Sequence, residues 1–222
     1  MNIQIDKLIR AKRRTIALIV ERNGTLTVRA PMRAPQYLID QFVQQKADWI
    51  ARTRARLEAA LPTSTKTYQD GEKFLYLGSS FDLKLVAQQR TALLLDNGFK
   101  LRYSAQNKGE AVFTHWYKER AYEIISERVK LYAQQYGFTP GQVKISSAKT
   151  RWGSCSPNGS LNFTWRLVMA PLEVIDYVVL HELAHLRIKN HSPKFWRAVE
   201  EICPDYKKKR KWLRENGEKL SL

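Results

Sequence analysis

Residues 171–191 constrain the fold more than any other stretch. They read Pro-Leu-Glu-Val-Ile-Asp-Tyr-Val-Val-Leu, then His-Glu-Leu-Ala-His-Leu-Arg-Ile-Lys-Asn-His. Val174, Ile175, Val178, Val179, Leu183, Ala184 and Leu186 make a helix here apolar around much of its circumference, so it should be largely buried. Yet His181, Glu182 and His185 lie on the same helix. His181 and His185 are one turn apart and share a face. Buried imidazoles and a buried carboxylate cost free energy unless they are paired or ligated. A metal ion removes that cost for all three groups together.

The arrangement is hard to obtain by accident. Three of the chain's 4 histidines fall in these residues, whereas random placement gives any His-Glu-x-x-His about 0.4 % of the time. Two imidazoles one turn apart can grip Zn²⁺ at about 2.0–2.1 Å. Glu182 can then serve as general base toward an activated water.

The ends of the helix place a third ligand. Pro171 fits the first helical position and Glu173 suits the positive N-terminus. Asn190 can take the left-handed conformation that ends a helix. Ser192-Pro193 reads as the N-cap and first residue of the next helix. His191 therefore sits in a tight corner, where its ring can fold back toward His181 and His185. Glu200 and Glu201 on the following helix are the alternatives. His191 is favoured because three neutral imidazoles match a common zinc set. The histidine spacing equals that of metzincins, but those need Gly where this chain has Ile188, and Ile adopts φ > 0 only at a cost. The turn is therefore expected at Asn190.

Composition narrows the setting. The 222 residues allow one large domain or two small ones, and 44% apolar content suffices for a core. No apolar run is long enough to span a membrane, and Met1 to Arg14 is not a secretory signal. Cys155 and Cys203 offer no disulfide framework, which points to a cytoplasmic protein with free thiols. Cys155 as a metal ligand is weaker than Cys155 as a lone thiol. The net charge of +17 includes the run Lys207-Lys208-Lys209-Arg210-Lys211. It admits a nucleic acid or nucleotide partner, or simply a basic solvated surface.

The pattern along the chain is α+β. Residues 1–110 form a β-hairpin-rich amino-terminal region with one helix. Thr15–Val20 and Thr25–Ala30 flank Asn23-Gly24, and helical spacing runs from Pro35 to about Ala60. Two more hairpins centre on Gly78-Ser79-Ser80 and Asn97-Gly98. Residues 111–222 form a mostly helical region. A helix covers His115–Tyr136 and is capped by Gly137. A short sheet follows, with Val143 and Ile145 in one strand and Trp152–Cys155 and Ser160–Val168 around Pro157-Asn158-Gly159. The edge of the strand from Ser160 could pair with an extended peptide. Helices from Pro193 to about Ile202 and from about Asp205 to Asn216 complete the chain. Trp116, Trp165, Trp196 and Trp212 are expected in the core.

Several of these stretches resemble the YgjP-like family of zinc metallopeptidases, and more distantly the SprT-like and WLM proteases. They are Arg151-Trp152-Gly153-Ser154-Cys155-Ser156, Leu161-Asn162-Phe163-Thr164-Trp165-Arg166-Leu167 and Ala170-Pro171. They continue through Val174-Ile175-Asp176-Tyr177-Val178-Val179, His181–Leu186, Asn190-His191-Ser192 and Phe195-Trp196. Phe42-Val43, Lys46 and Trp49-Ile50 extend the resemblance into the amino half. It implies a zincin-like catalytic region, with His181, His185 and His191 holding Zn²⁺, Glu182 as the catalytic base, and a peptide or protein as substrate.

The expected reaction is zinc-dependent hydrolysis of a peptide bond. Tyr206, Arg166 and His115 are residue types that could stabilise the oxyanion. Asp176 lies too far round the helix to support His181 in an obvious way. One alternative is a metal-dependent nucleoside triphosphate pyrophosphohydrolase, an activity also assigned within that family, although no phosphate-cradling Gly-rich loop is present. The other is a basic nucleic-acid-associated module in which zinc is structural.

Overall fold

A computed structural model describes residues 3–21, 23–60 and 66–222, without the side chains of Arg56, Ala59 and Ala60. The chain is α+β and divides into two compact units, Met1–Thr63 and Ser64–Leu222.

In the first unit, β1 (Lys7–Ala11), β2 (Ala17–Val20) and β3 (Leu26–Pro31) form a sheet in the order β1-β3-β2. β2 and β3 are the expected hairpin, paired Ala17 to Arg29 and Val20 to Leu26, with Gly24 at φ 81° in its turn. β1 joins β3 in parallel, Lys7 opposite Thr27. The expected single helix is two, α1 (Gln36–Gln45) and α2 (Ala47–Ala60). They part at Lys46, whose φ of −102° and ψ of 13° leave the helical region. Leu26, Val28, Ala30, Ile39, Val43 and Ile50 form this unit's own core.

The second unit is built around α3 (Gly109–Tyr136). Its buried residues, Gly109, Phe113, Tyr117, Ala121, Ile125, Val129 and Ala133, run along one i, i+4 ridge. The helix starts six residues before His115, at Gly109, which lies so close to Tyr68 that a Cβ would sit 2.3 Å from its ring. Gly137 ends it at φ 65°, in the left-handed conformation. One side of α3 packs on a sheet of β4 (Lys73–Tyr76), β5 (Ser79–Val86), β7 (Phe99–Arg102) and β6 (Leu93–Leu95), in that order. Phe74, Phe99, Phe113 and Tyr117 pack ring against ring there, and Trp165 stacks on Tyr117 at 5.7 Å. Fully burying each such side chain stabilises by about 1.5–3 kcal/mol. Trp165 is in the core, with Trp116, Trp196 and Trp212 half-buried against it.

The change from hairpins to helices expected near residue 110 falls inside this unit. The β4–β5 turn is tied to the carboxyl half: the Leu77 and Gly78 N–H groups donate to the carbonyls of Val168 (2.9 Å) and Met169 (3.1 Å). Hairpins and helices therefore share one core.

The second sheet has the order β8 (Val143–Ser146), β10 (Leu161–Thr164), β9 (Gly153–Cys155). β10 is shorter than expected, since Trp165–Met169 winds into a 3-10 turn. Both its edges are filled, by β8 in parallel and β9 antiparallel, so it offers no edge to a peptide. The strand with an edge left beside the next helix is β9. Then come α4 (Leu172–Ala184), α5 (Pro193–Ile202) and α6 (Tyr206–Asn216). No helix among the described residues is long and apolar enough to cross a membrane.

Candidate metal centre

Helix α4 is buried over nearly its whole circumference, from Val174 to Leu180 and again from Glu182 to Ala184. It ends at Ala184, earlier than Asn190. The Leu186 and Arg187 N–H groups donate three residues back, to Leu183 (3.0 Å) and Ala184 (3.1 Å), so the last turn tightens. Asn190 is not among the residues with positive φ. Its side-chain oxygen instead accepts from the Ser192 N–H at 3.2 Å. Ser192 and Pro193 open α5 as expected. The corner between α4 and α5 thus exists, made by a tightened turn rather than a left-handed residue.

That corner brings His191 to the other two histidines. Nε2 of His191 lies 3.2 Å from Nε2 of His185 and 3.1 Å from Nε2 of His181. Nδ1 of His185 donates to the Ile188 carbonyl at 3.0 Å, which fixes its proton there and leaves the Nε2 lone pair facing inward. Phe195 of α5, fully buried, backs all three rings, at 4.9 Å from His181, 4.3 Å from His185 and 4.9 Å from His191. Trp196 adds a wall beside His181 and His191.

The donor set fits a divalent cation. Ligands at about 2.0–2.1 Å from Zn²⁺ in tetrahedral geometry are about 3.3 Å apart, close to the spacing of these nitrogens. Three inward lone pairs repel one another unless a cation or proton lies between them. Burial, then the neighbouring imidazoles and the Arg210 charge, push His181 down to about 3. Burial also lowers His185, against the opposing effect of the Ile188 carbonyl. Both rings are therefore neutral at neutral pH, the state that binds metal. Among the described residues this is the one cluster of three or more such side chains suited to a metal ion.

Glu182, the residue after His181 on α4, packs against Gly153 of β9. Burial pushes its carboxyl up to about 7, opposed by the Arg151 charge. Its Oε2 is buried and has no hydrogen-bond partner among the described residues. A cavity of about 310 Å³ opens at His181 and Glu182. Trp152 and Gly153 of the β9 segment, Tyr177 and Val178 of α4, and Arg210, Leu213 and Arg214 of α6 complete its wall.

Other expected residues lie elsewhere. Glu200 is exposed and pairs with Lys207 at 2.9 Å, and Glu201 is exposed. Tyr206 stacks under Trp196, Arg166 lies over Trp165, and His115 faces Glu119. None of these three lines the cavity. Cys155 is half-buried, with Lys189 Nζ 3.9 Å from its sulfur, outside the histidine cluster. Asp176 has a clear partner: Arg128 of α3 donates to both its oxygens, at 2.6 and 2.8 Å. Of the cavity residues, Trp152-Gly153, Tyr177-Val178 and His181-Glu182 belong to the stretches that carry the family resemblance, while Arg210 and Arg214 carry no signal beyond charge.

A family model described as YgjP-like, metallopeptidase domain, matches residues 14–216. The chain belongs to the YgjP-like metallopeptidase family. The YgjP-like domain also resembles two solved metallopeptidase zymogens. Abylysin of Pyrococcus abyssi is 24% identical, with 40% of this chain and 93% of that chain covered and a TM-score of 0.37. Jannalysin of Methanocaldococcus jannaschii is 24% identical, with 40% and 92% covered and a TM-score of 0.32. No match is found among the curated proteins.

Proposed function

We propose that this YgjP-like domain is a zinc metallopeptidase with His181, His185 and His191 as ligands and Glu182 as general base. The convergence of three imidazole Nε2 atoms beside a buried carboxylate carries the reading. Three protein ligands leave a coordination position open, as catalytic rather than structural sites do. When bound, the cation supplies Lewis acidity toward a peptide carbonyl and acidifies water.

The chain's own groups then do the following. The Ile188 carbonyl holds the proton of His185 on Nδ1, so Nε2 stays available. Glu182 takes a proton from the attacking water as its oxygen bonds to the carbonyl carbon. The carbon–nitrogen bond then breaks, and Glu182 gives the proton to the leaving amine. Its ordinary carboxyl pKa would make it a poor donor near neutral pH, and burial corrects this. The apolar wall of Phe195 and Trp196 keeps the three rings in place. The free thiols of Cys155 and Cys203 suit the cytoplasm.

The test is a zinc-loaded Glu182→Gln protein. It should retain about one zinc per chain and lose hydrolysis of an unfolded protein, because glutamine keeps the shape without accepting a proton. Wild-type turnover in the metal-loaded variant would refute the role of Glu182. Absence of cleavage by metal-loaded wild type across a panel of unfolded proteins would refute the peptidase reading.

A further inference from the structure

We infer that the cavity beside His181 and Glu182 receives a carboxylate of the substrate peptide, held by Arg210 and Arg214 of α6. The inference rests on the peptidase reading and adds a substrate class to it.

Lys207, Lys209 and Lys211 of α6 are each paired with an acid: Glu200 at 2.9 Å, Asp205 at 2.8 Å and Glu215 at 3.9 Å. Of the other basic residues on α6, Lys208, Arg210 and Arg214 have no ion pair among the described residues, and only Arg210 and Arg214 line the cavity. These two are one turn apart and share a face of the helix. Such like-charge pairs cost an isolated helix about 0.2–0.5 kcal/mol. Asp205 and Glu215, each four residues distant, pair with Lys209 and Lys211, and no acid does so for Arg210 or Arg214 among the described residues. Both arginines line the cavity that also contains His181 and Glu182.

Arg210 is also held in place. Its guanidinium lies 4.7 Å from the centroid of Trp196, the ring that backs His181 and His191. The packing that fixes the imidazoles thus fixes this cation. A planar guanidinium offers a fork of donors suited to a carboxylate. The remaining wall is partly apolar, with Trp152, Tyr177 and Leu213, which suits the stem of an amino-acid side chain. At about 310 Å³ the cavity is at the small end for a ligand site, room for about one residue. A triphosphate fits less well, since its several charges would meet two arginines and also the Glu182 carboxylate.

The carboxylate can come from an acidic side chain next to the scissile bond or from a free chain end. Fluorescent hexapeptides with one Glu, their Gln counterparts, and each as free acid and C-terminal amide separate the two sources. Binding to full-length zinc-loaded Glu182→Gln protein is measured by anisotropy, and kcat/KM on the wild-type background. The carboxylate peptide should be favoured about tenfold or more in both, the size of a charge-assisted hydrogen bond. In the Arg210→Gln/Arg214→Gln variant that ratio should fall to near one, and Arg210→Glu should shift preference toward a Lys-bearing peptide. Thermal melting checks that each variant folds.

Equal binding of acidic and neutral peptides, or a preference that survives the double substitution, overturns the inference. Tighter binding of a nucleoside triphosphate than of every carboxylate peptide does so too. Preferential binding with no cleavage would refute the peptidase reading and leave the carboxylate pocket standing. Cleavage without preference would do the reverse.

Discussion

Gly153 of β9 lies where any side chain would collide with Glu182 of α4. A Cβ on residue 153 would lie 2.6 Å from Oε1 and 2.7 Å from Cγ of Glu182. The strand can approach the helix this closely only because residue 153 has no side chain. Gly153→Ala should therefore displace the carboxylate and leave the histidines alone. A shift of about 1 Å at a reacting group can cost about a hundredfold in rate. The expected result is a fall of about 10–100-fold in kcat with zinc content unchanged, read by kinetics alongside metal analysis. Unchanged kcat would show that Glu182 has room to adjust.

Metal removal should be visible in stability as well as activity. A ligand that binds only the folded state stabilises it by about 4 kcal/mol at a thousand times its Kd. Chelated protein should thus melt well below zinc-loaded protein. His191→Ala should weaken zinc binding by about 100-fold or more, beyond what loss of a supporting residue costs. Glu200→Ala and Glu201→Ala should not, because Glu200 is engaged by Lys207 and neither joins the histidine cluster. If a glutamate variant abolishes binding and His191→Ala does not, the ligand set is misassigned.

Local chemistry was legible in the sequence, and tertiary placement was not. The Asn97-Gly98 turn was readable because Asn97 (φ 52°) and Gly98 take conformations that disfavour other residues. Gly137 and Ser192-Pro193 marked helix ends for similar reasons. By contrast, the break at Lys46 has neither Gly nor Pro to announce it. The parallel pairings of β1 with β3 and β5 with β7 join segments with no local turn between them. The end of α4 was misplaced because its last turn closes on backbone carbonyls, without a residue-specific cap. The histidine cluster was readable since one helix turn and one corner assemble it. The cavity was not, because the rotation of α6 decides that Arg210 and Arg214, rather than the neighbouring lysines, face the site.

The β4–β5 turn should matter to the metal helix despite its distance in sequence. Gly78 has φ 80°, and a Cβ there would lie 2.8 Å from Cγ and 3.0 Å from Cα of Pro171, the residue just before α4. Gly78→Ala meets a left-handed conformation costing roughly 1–2 kcal/mol and overpacking of about 1–3 kcal/mol. Denaturant unfolding should show a loss of a few kcal/mol. Gly71→Ala is the control: its φ is also positive, at 81°, but nothing lies within 4 Å of the added carbon. Equal losses in the two variants would mean that contact with Pro171 contributes nothing.

The last prediction concerns how α4 is held to α3. Arg128 meets Asp176 through two hydrogen bonds and also donates to the Tyr132 hydroxyl at 2.9 Å. The partners are only 20% and 13% exposed, so the pair is shielded from salt. The bond to Asp176 raises the Arg128 pKa further, so its charge persists at any pH the protein survives. Arg128→Met would leave a shielded carboxylate without its counter-charge, costing about 3 kcal/mol. Asp176→Asn should cost less, because asparagine can still accept one bond. The double variant should lose less than the sum of the two, with a coupling of about 1–3 kcal/mol. That coupling should change little between low and high salt, unlike that of the exposed Lys73–Asp82 pair. Additive losses would mean that α3 and α4 are held by apolar packing alone. Zinc stoichiometry should stay unchanged throughout, because Asp176 anchors the helix and does not touch the histidine cluster.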